Sequence, residues 1–202
     1  MTATRRSMTE NSKEKIGGLL LAAGGSRRLG RPKQLLEFKG QTLIRRAAEA
    51  LINAGCEPVV VVLGAEIEGS RNELDGLDVV IVENSEWEEG MSSSIRSGVE
   101  SLLELEKNID AVLISLCDQP HVTADKLAQF IDRFSSDQPP IVAAEYDGVA
   151  GVPALFDKSV FGSLMGLKGD KGAREIIRNS PGAMTISFPE ATFDIDTHAD
   201  IE

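Results

Sequence analysis

The sequence predicts an α/β protein, a single three-layer α/β/α domain built on a mostly parallel, twisted sheet. Several apolar runs of strand length do not alternate with polar residues, as is typical of strands buried on both faces of a parallel sheet. Segments with apolar residues at helical spacing separate these runs, which is the pattern of repeated β–α–β units. The length of 202 residues also fits one domain.

The first strand and the loop after it carry the most informative pattern. The apolar run 16–23 is followed by small residues and cations, which are Gly24, Gly25, Ser26, Arg27, Arg28, Gly30, Arg31 and Lys33. Glycine can adopt positive φ and has no Cβ, so successive N–H groups can turn towards an anion, while arginine and lysine add charge. This loop is predicted to bind a nucleoside triphosphate. The alternative is a strand-to-helix turn with solvated arginines.

Two better-known phosphate motifs do not fit this loop. Gly25 and Gly30 have the spacing of a P-loop, but Arg31 and Pro32 replace the Lys-Ser/Thr pair, so the hydroxyl that binds magnesium is missing. A dinucleotide-binding fold needs an acidic residue at the end of its second strand, whereas the run 59–63 continues into Gly64 and Ala65. A nicotinamide cofactor is therefore disfavoured.

The remaining elements follow in chain order. Residues 1–15 are polar and predict a disordered tail, which leaves 16–202 as the domain. Helices are predicted at 42–53, 66–76, from Gly90, around Leu127 to Phe134, at 158–167 and at 170–179. Further strands are predicted at 58–63, 78–82, 110–116, 141–145, within 148–156, and at 184–188 and 192–195.

Composition excludes several classes of partner. The net charge of −11 opposes sequence-independent binding of nucleic acid. No apolar run approaches the length that spans a membrane, and Arg5-Arg6 lacks the apolar stretch of a secretion signal, so we expect a cytoplasmic protein. Cys56 and Cys117 lie in or beside apolar segments and are expected to be small buried hydrophobes in a reducing compartment.

Asp118 and the serines of the helix at 90 are further candidate site residues. Asp118 ends a strongly apolar strand, where a carboxylate needs a charged partner, and Mg²⁺ is the natural one beside a triphosphate. A second carboxylate is available in Asp194 or Asp196. The alternatives are a turn-initiating aspartate and a solvated strand face. Ser92, Ser93 and Ser94 either donate to a nucleotide or only cap the helix.

The segment that ends at Lys33 resembles the Leu-x-Ala-Ala-Gly-x-x-x-Arg-x-Gly-x-x-Lys signature of nucleotidyltransferases that make activated sugars, isoprenoid precursors and molybdenum cofactor dinucleotides. From 18 to 200 the chain is identified as a molybdenum cofactor cytidylyltransferase-like member of the MobA-like NTP transferase family. Residues 90–98, 148–156 and 169–174 contribute to this resemblance. It implies a Rossmann-like nucleotidyltransferase fold.

The resemblance also implies roles for individual residues. The nucleotide-binding residues are Leu21, Ala22, Ala23, Gly24, Gly25, Ser26, Arg28, Lys33, Ser92, Ser93 and Ser94. Arg28, Lys33 and Asp118 are the catalytic residues, and Asp118 with Asp196 holds Mg²⁺, in a C-terminal motif that Asp200 closes. The phosphorylated acceptor, molybdopterin in this family, is expected at Gly151 and Pro153.

The expected reaction transfers CMP from CTP to a phosphate of the acceptor. Family members that use CTP tend to have Ala-Ala-Gly where guanylyl enzymes have Gly-Gly, and this chain has Ala22-Ala23-Gly24. Val152 stands where many cytidylyltransferases have histidine, which puts the acceptor in doubt. Transfer of CMP or GMP to an isoprenoid or sugar phosphate is an alternative. So are a non-catalytic nucleotide-binding accessory or chaperone-like protein for a molybdoenzyme, and an NAD-dependent oxidoreductase.

Overall fold

A computed structural model describes residues 14–25 and 32–193 of the protein. In this part of the chain the strands are β1 Ile16–Ala22, β2 Glu37–Phe38, β3 Gln41–Thr42, β4 Val59–Leu63, β5 Val80–Glu83, β6 Ala111–Leu116, β7 Ile141–Tyr146, β8 Val149–Asp157 and β9 Met184–Ser187. The α-helices are α1 Leu43–Asn53, α2 Ile67–Glu73, α3 Met91–Leu105, α4 Ala124–Asp137, α5 Phe161–Met165 and α6 Arg174–Asn179.

Seven strands form one sheet, in the order β5-β4-β1-β6-β8-β7-β9. The strands β5, β4, β1 and β6 are parallel, whereas β8 runs antiparallel to both of its neighbours and β9 is parallel to β7. After β1 the chain builds outwards to β4 and β5 and then returns to place β6 on the other side of β1. Ligands of open α/β sheets bind beside such a reversal, at the carboxyl ends of the strands.

Both faces of the sheet are covered by helices, which confirms the predicted three-layer α/β fold. On one face Leu20 of β1 belongs to the core that includes residues of α1 and α4. On the other face Leu19 and Leu21 belong to the core with residues of α3, α5 and α6. Because β1, β4 and most of β6 are buried on both faces, their sequences show the continuous apolar runs from which they were predicted.

The predicted elements of the first two thirds of the chain match the structure to within a few residues, and the last third differs. A single strand, β8, occupies 149–157, where a loop and a strand were expected. The helix predicted at 158–167 is a 3₁₀ turn followed by the short α5. Thr192, predicted in a strand, ends a 3₁₀ helix, and Asp194 and Ile195 lie outside the described residues.

The helix predicted to begin at Asp170 begins instead at Arg174, as α6. Asp170 is held elsewhere, since its backbone packs against Gly90 at the start of α3. The β2–β3 hairpin and the 3₁₀ helices Lys33–Leu35 and Trp87–Glu89 were not predicted. Within residues 14–25 and 32–193, no helix combines the length and the apolar character needed to cross a lipid bilayer.

The helix α3 packs closely on the sheet at Gly98. A Cβ added at Gly98 would lie 2.9 Å from Cδ2 of Leu19 and closer still to its Cδ1. The buried Leu19 side chain therefore occupies the space that a side chain at position 98 would need. The absence of a Cβ lets α3 approach β1 closely.

We expect Gly98→Ala to lower the free energy of unfolding. Overpacking costs about 1–3 kcal/mol, and the better helix propensity of alanine offsets roughly 1 kcal/mol of it. Gly162→Ala in α5 is a matched control, because a Cβ there would meet nothing within 4 Å. Urea unfolding of both variants measures the difference. A Gly98→Ala protein as stable as the Gly162→Ala control would contradict this account of the packing.

Candidate active site

The ends of four parallel strands bring the candidate site residues to one edge of the sheet. Ala23 to Gly25 follow β1, Gly64 follows β4, Asn84 follows β5, and Asp118 follows β6 after Cys117. All four strands run in the same direction, so these residues lie at the same edge. The sequence also predicts that three clusters share one pocket. The glycine loop is at the end of β1, Asp118 is at the end of the neighbouring β6, and the cluster from Gly90 to Arg96 begins α3.

The Gln34 side chain fixes the start of the glycine loop. Its Nε2 donates to the carbonyl oxygens of Ala22, at 2.8 Å, and of Gly24, at 2.9 Å. Gln34 is only 1% exposed, so these bonds hold the 3₁₀ helix Lys33–Leu35 against the end of β1. Because Lys33 is adjacent to Gln34, the same contact brings its backbone beside the loop.

Lys33 and Asp118 form an ion pair across the tips of β1 and β6. Nζ of Lys33 lies 3.3 Å from Oδ2 of Asp118, and the two side chains are 19% and 24% exposed. Oδ1 of Asp118 is buried and accepts no hydrogen bond within the described part of the chain. A buried carboxylate oxygen without a partner is costly unless a ligand satisfies it.

This carboxylate fits a hard divalent cation such as Mg²⁺, which binds through one or two carboxylates together with phosphate oxygens. Asp118 can supply one such ligand. Among residues 14–25 and 32–193, no three His, Cys, Asp or Glu side chains converge as a metal cluster. Asp196, the predicted second ligand, lies outside the described residues with Asp194 and Asp200, and so do the predicted nucleotide-binding residues Ser26 and Arg28.

The two glycines of the loop differ in what surrounds them. A Cβ added at Gly24 would meet nothing within 4 Å among the described residues. At Gly25 an added Cβ would lie 3.0 Å from Cη2 of Trp87. Neither glycine has the positive φ that the sequence suggested it could use. What this loop uses is the missing Cβ, for open space at Gly24 and for room beside the indole at Gly25.

The predicted serines lie at the start of α3 and are buried. Ser93 and Ser94 each accept a hydrogen bond from Nδ2 of Asn84, at 2.9 and 3.0 Å. Ser93 Oγ is also placed to donate to the carbonyl oxygens of Glu86 and Gly90, each at 2.9 Å. The hydroxyl of Ser92 donates to the carbonyl oxygen of Gly169. These serines thus join the turn after β5 to α3, and their contact with a nucleotide remains a prediction.

An ion pair links the start of α3 to the loop before α6. The guanidinium of Arg96 donates to both carboxylate oxygens of Glu89, at 2.7 and 3.1 Å, and to the carbonyl oxygen of Leu167 at 2.7 Å. The N–H of Gly169 also donates to Glu89. Gly90, with φ of 119°, lies so close to Asp170 that an added Cβ would be 2.6 Å from its Cα. Only glycine fits this approach.

Gly151 and Pro153, the predicted acceptor-binding residues, lie on β8 beside the residue that follows Asp118. Gln119 is buried, and its Nε2 donates to the carbonyl oxygen of Val152, at 3.5 Å, and to that of Ala191, at 3.0 Å. Its Oε1 has no partner among the described residues. The Val152–Pro153 peptide bond is cis. The region predicted for the acceptor is therefore attached to the tip of β6.

A tyrosine and an arginine complete this region. A Cβ at Gly151 would lie 2.6 Å from the hydroxyl oxygen of Tyr146 and 3.3 Å from Nε of Arg174. The same hydroxyl donates to the Val152 carbonyl oxygen at 3.3 Å and accepts from Nη2 of Arg174 at 3.1 Å. The guanidinium of Arg174 also lies over the Tyr146 ring.

Both cysteines are buried, as expected, and neither forms a disulfide. Burial raises the pKa of Cys56 to about 12. Burial also raises the pKa of Cys117, and the negative charge of Asp118 raises it further. A thiol with a raised pKa holds its proton, so Cys117 is not a nucleophile for this site although it adjoins Asp118.

Residues 18–184 match the family model described as the MobA-like NTP transferase domain. The chain belongs to the MobA-like NTP transferase family. It is thus a nucleotidyltransferase by family, and the predicted family and fold are confirmed. The match spans β1 to the first residue of β9 and includes the open loop, the Lys33–Asp118 pair and the residues of β8.

Relatives within this MobA-like family carry different names. The chain is 33% identical to nicotine blue oxidoreductase of Paenarthrobacter nicotinovorans, over 90% of this chain and 92% of the relative. It is 28% identical to a probable molybdenum cofactor guanylyltransferase of Bacillus cytotoxicus, over 63% and 61% of the two chains. The shared fold is therefore common to proteins named for different reactions.

A solved structure resembles the chain over nearly its whole length. The crystal structure of Rv0371c from Mycobacterium tuberculosis H37Rv superposes with a TM-score of 0.75 and 30% identity, covering 94% of this chain and 96% of that one. Rv0371c has also been crystallised in complex with manganese, and that structure superposes with a TM-score of 0.71, 28% identity and the same coverage.

The structure adds residues that the sequence analysis did not assign to the site. Gln34 anchors the loop, Asn84 binds two of the serines, and Trp87 lies against Gly25. The position of Gln34 directly after Lys33 could have drawn attention to it. No pattern along the sequence places Trp87 beside a glycine 62 positions earlier, because that contact depends on the neighbouring places of β1 and β4 in the sheet.

The Glu89–Arg96 ion pair makes the free energy of unfolding depend on pH. Chiefly through the Arg96 hydrogen bond, and then through the Gly169 N–H, the pKa of Glu89 falls from 4.5 to about 2 in the folded protein. Such a carboxylate stabilises the fold above its unfolded pKa, and this contribution is lost as pH falls through the folded value. We expect Glu89→Gln to be less stable than wild type near neutral pH, with a difference that shrinks from pH 4.5 to about 2.

Urea unfolding at a series of pH values measures this difference. Glu104→Gln on the exposed side of α3 is the matched control and should follow wild type throughout. A difference between wild type and Glu89→Gln that stays constant down to pH 2 would show that the carboxylate does not act through its charge.

Proposed function

We propose that the protein transfers a nucleoside monophosphate, CMP from CTP, to a phosphorylated acceptor of the molybdopterin class and releases pyrophosphate. The observation that carries this proposal is the Lys33–Asp118 pair at the tips of β1 and β6, at the same edge of the sheet as Gly24. It sets a cation and a carboxylate with a free oxygen at the reversal point of the sheet. A nucleotide with its metal ion needs both charges in one place.

The proposed reaction needs alignment more than proton transfer. An oxygen of the acceptor phosphate forms a bond to the α-phosphorus, and the bond from that phosphorus to the bridging oxygen of the β-phosphate breaks. The acceptor phosphate is already ionised near neutral pH, so no general base is required. Lys33 would hold the α-phosphate and the acceptor close together, and Arg28 would bind the departing β- and γ-phosphates.

Mg²⁺ is the proposed cofactor, with Asp118 and Asp196 as its protein ligands. When bound, the ion would neutralise phosphate charge and stabilise the leaving pyrophosphate. Support comes from the unpartnered Oδ1 of Asp118 and from the manganese complex of Rv0371c. The ion pair with Lys33 keeps the other carboxylate oxygen oriented at the tip of β6.

The choice of CTP rests on Ala22 and Ala23. Both are buried at the end of β1, and the proposal is that their methyl groups leave less room for a purine than Gly-Gly would. The guanylyltransferase name of the Bacillus cytotoxicus relative makes GTP the main alternative. Ser26 and the serines at the start of α3 are proposed to complete the nucleotide site.

The acceptor is proposed to lie between Asp118 and the β8 residues Gly151 and Pro153. Gln119 joins the two places through the Val152 carbonyl oxygen, so an acceptor on β8 would lie beside the tip of β6. A molybdoenzyme or its chaperone is the proposed recipient of the product, and the cytoplasm is the proposed location. Neither nucleic acid nor a membrane is a proposed partner.

Release of pyrophosphate tests the proposal directly. Each of CTP, GTP, ATP and UTP is incubated with Mg²⁺ and molybdopterin, and pyrophosphate is measured. We expect CTP to give the fastest release and Asp118→Ala to reduce it to background, with an unchanged circular dichroism spectrum. Asp132→Ala, at an exposed carboxylate of α4, is the control and should retain wild-type activity. Normal turnover by Asp118→Ala would refute the metal assignment.

Lys33→Ala should reduce turnover more than nucleotide affinity. The reason is that charge on the transferred phosphate grows in the transition state, so an interaction with Lys33 strengthens there. We expect kcat to fall by about 10²-fold or more, with only a small change in the Kd of CTP measured by calorimetry. Lys107→Ala, at an exposed lysine after α3, serves as the control. Equal losses in affinity and turnover would assign Lys33 to binding alone.

A second candidate function is oxidoreduction, which is favoured by the name of the Paenarthrobacter nicotinovorans relative. The end of β4 argues against a nicotinamide cofactor, because Leu63 continues into Gly64 and Ala65 rather than an acidic residue. A thermal-shift comparison of NADH and NADPH with CTP separates the two. Pyrophosphate release would also exclude a purely non-catalytic accessory protein.

A further inference from the structure

Trp87 lies across the tips of two neighbouring strands. The root of its side chain is at Gly64, where an added Cβ would be 2.7 Å from both Cβ and Cγ of Trp87. The far edge of its ring is at Gly25, where an added Cβ would be 3.0 Å from Cη2 and 3.1 Å from Cζ3. The indole therefore spans from the end of β4 to the loop after β1, and it remains half-buried.

A buried polar network holds Trp87 in this position. Asn84 accepts a hydrogen bond from the N–H of Glu86 at 2.9 Å and donates to Ser93 and Ser94. The hydroxyl of Ser93 bonds in turn to the carbonyl oxygen of Glu86. Trp87 follows Glu86 directly, and its own carbonyl oxygen accepts from the N–H of Gly90. The turn that carries the indole is thus fixed at both ends, with little freedom to move away from the glycine loop.

The order of the sheet puts Trp87 opposite the charged residues. The strands β4 and β6 flank β1 on its two sides. Asp118 and its partner Lys33 lie on the β6 side, whereas Trp87 lies on the β4 side. A nucleotide with its phosphates at Lys33 and Asp118 has its base at the other end of the molecule. Gly24 follows β1, the strand between these two places in the order of the sheet.

We propose that Trp87 is the stacking platform for the nucleobase, a role that deepens the proposed function and rests on it. The half-buried indole offers a rigid aromatic face, and every base has a flat face to set against it. This role also explains the glycines at positions 25 and 64, since a side chain at either position would displace the indole.

The chain contains a single tryptophan, so its fluorescence reports on this one position. Wild-type protein is titrated in the presence of Mg²⁺ with CTP, GTP, ATP and UTP, and in parallel with inorganic triphosphate, which carries the phosphates but no base. We expect the tightest-binding nucleotide to quench the emission strongly. Inorganic triphosphate should compete with that nucleotide and cause little quenching by itself. Equal quenching by both ligands, or binding by no nucleotide, would overturn the proposal.

Variants of Trp87 separate stacking from phosphate binding by calorimetry. Trp87→Ala should lower the affinity for the same nucleotide by about tenfold, which is the loss expected when one base no longer stacks on an aromatic ring. Its affinity for inorganic triphosphate should stay near the wild-type value. Trp87→Phe keeps a ring and should recover most of the lost affinity, which a purely structural role of the indole would not predict. A Trp87→Phe protein that binds as weakly as Trp87→Ala would contradict stacking.

These measurements do not depend on catalysis. If nucleotides quench Trp87 and the alanine variant loses affinity while no acceptor yields pyrophosphate, the stacking role stands and the proposed transfer fails. If pyrophosphate is released while Trp87→Ala binds the nucleotide as tightly as wild type, the transfer stands and the stacking role is refuted.

Discussion

The ion pair between Lys33 and Asp118 is the interaction on which the site depends. It joins the segment after β1 to the tip of β6, on the two sides of the reversal in the sheet. A lone carboxylate at the end of a buried strand would be costly, and the ammonium group offsets that cost while leaving Oδ1 unpartnered. The pair sets a cation within 3.3 Å of a carboxylate, which is the arrangement that the proposed metal ion and phosphate would require. Gln34 supports it by fixing the backbone next to Lys33.

The two halves of the site are tied together away from this pair. Glu89 and Arg96, at the start of α3, bind the backbone of Leu167 and Gly169, which precede α6. The close approach of Gly90 to Asp170 allows no side chain between the two segments. These contacts, with the hydrogen bond from Ser92 to Gly169, pack the start of α3 directly against the loop before α6. The serines proposed to contact the nucleotide are therefore joined to the segment that leads to Arg174, beside the proposed acceptor residues.

The strands that could be predicted from the sequence are those buried on both faces of the sheet. The runs that became β1, β4 and β6 are visible because every side chain in them meets a helix layer, and the strand ends locate Asp118 and the glycine loop together. The sequence did not predict features that depend on contacts between residues far apart in the chain. The helix predicted from Asp170 begins at Arg174, and the backbone of Asp170 packs against Gly90 instead. Ser93 accepts a hydrogen bond from Asn84, a contact that depends on how the turn after β5 folds onto α3. Arg28 and Asp196 lie outside the described residues, so the roles predicted for them stay predictions.

The glycines show why a shared signature does not by itself identify a reaction. Among the described residues, nothing lies within 4 Å of a Cβ added at Gly24, whereas a Cβ added at Gly25 or at Gly64 would meet the Trp87 indole. Gly24 is the glycine of the Ala-Ala-Gly signature, while Gly25 takes one of its variable positions and Gly64 stands outside it. The signature describes a strand tip, and we propose that the side chains set against that tip, such as Trp87 and Asp118, select its ligand. Relatives of this chain are accordingly named both for oxidation and for nucleotidyl transfer.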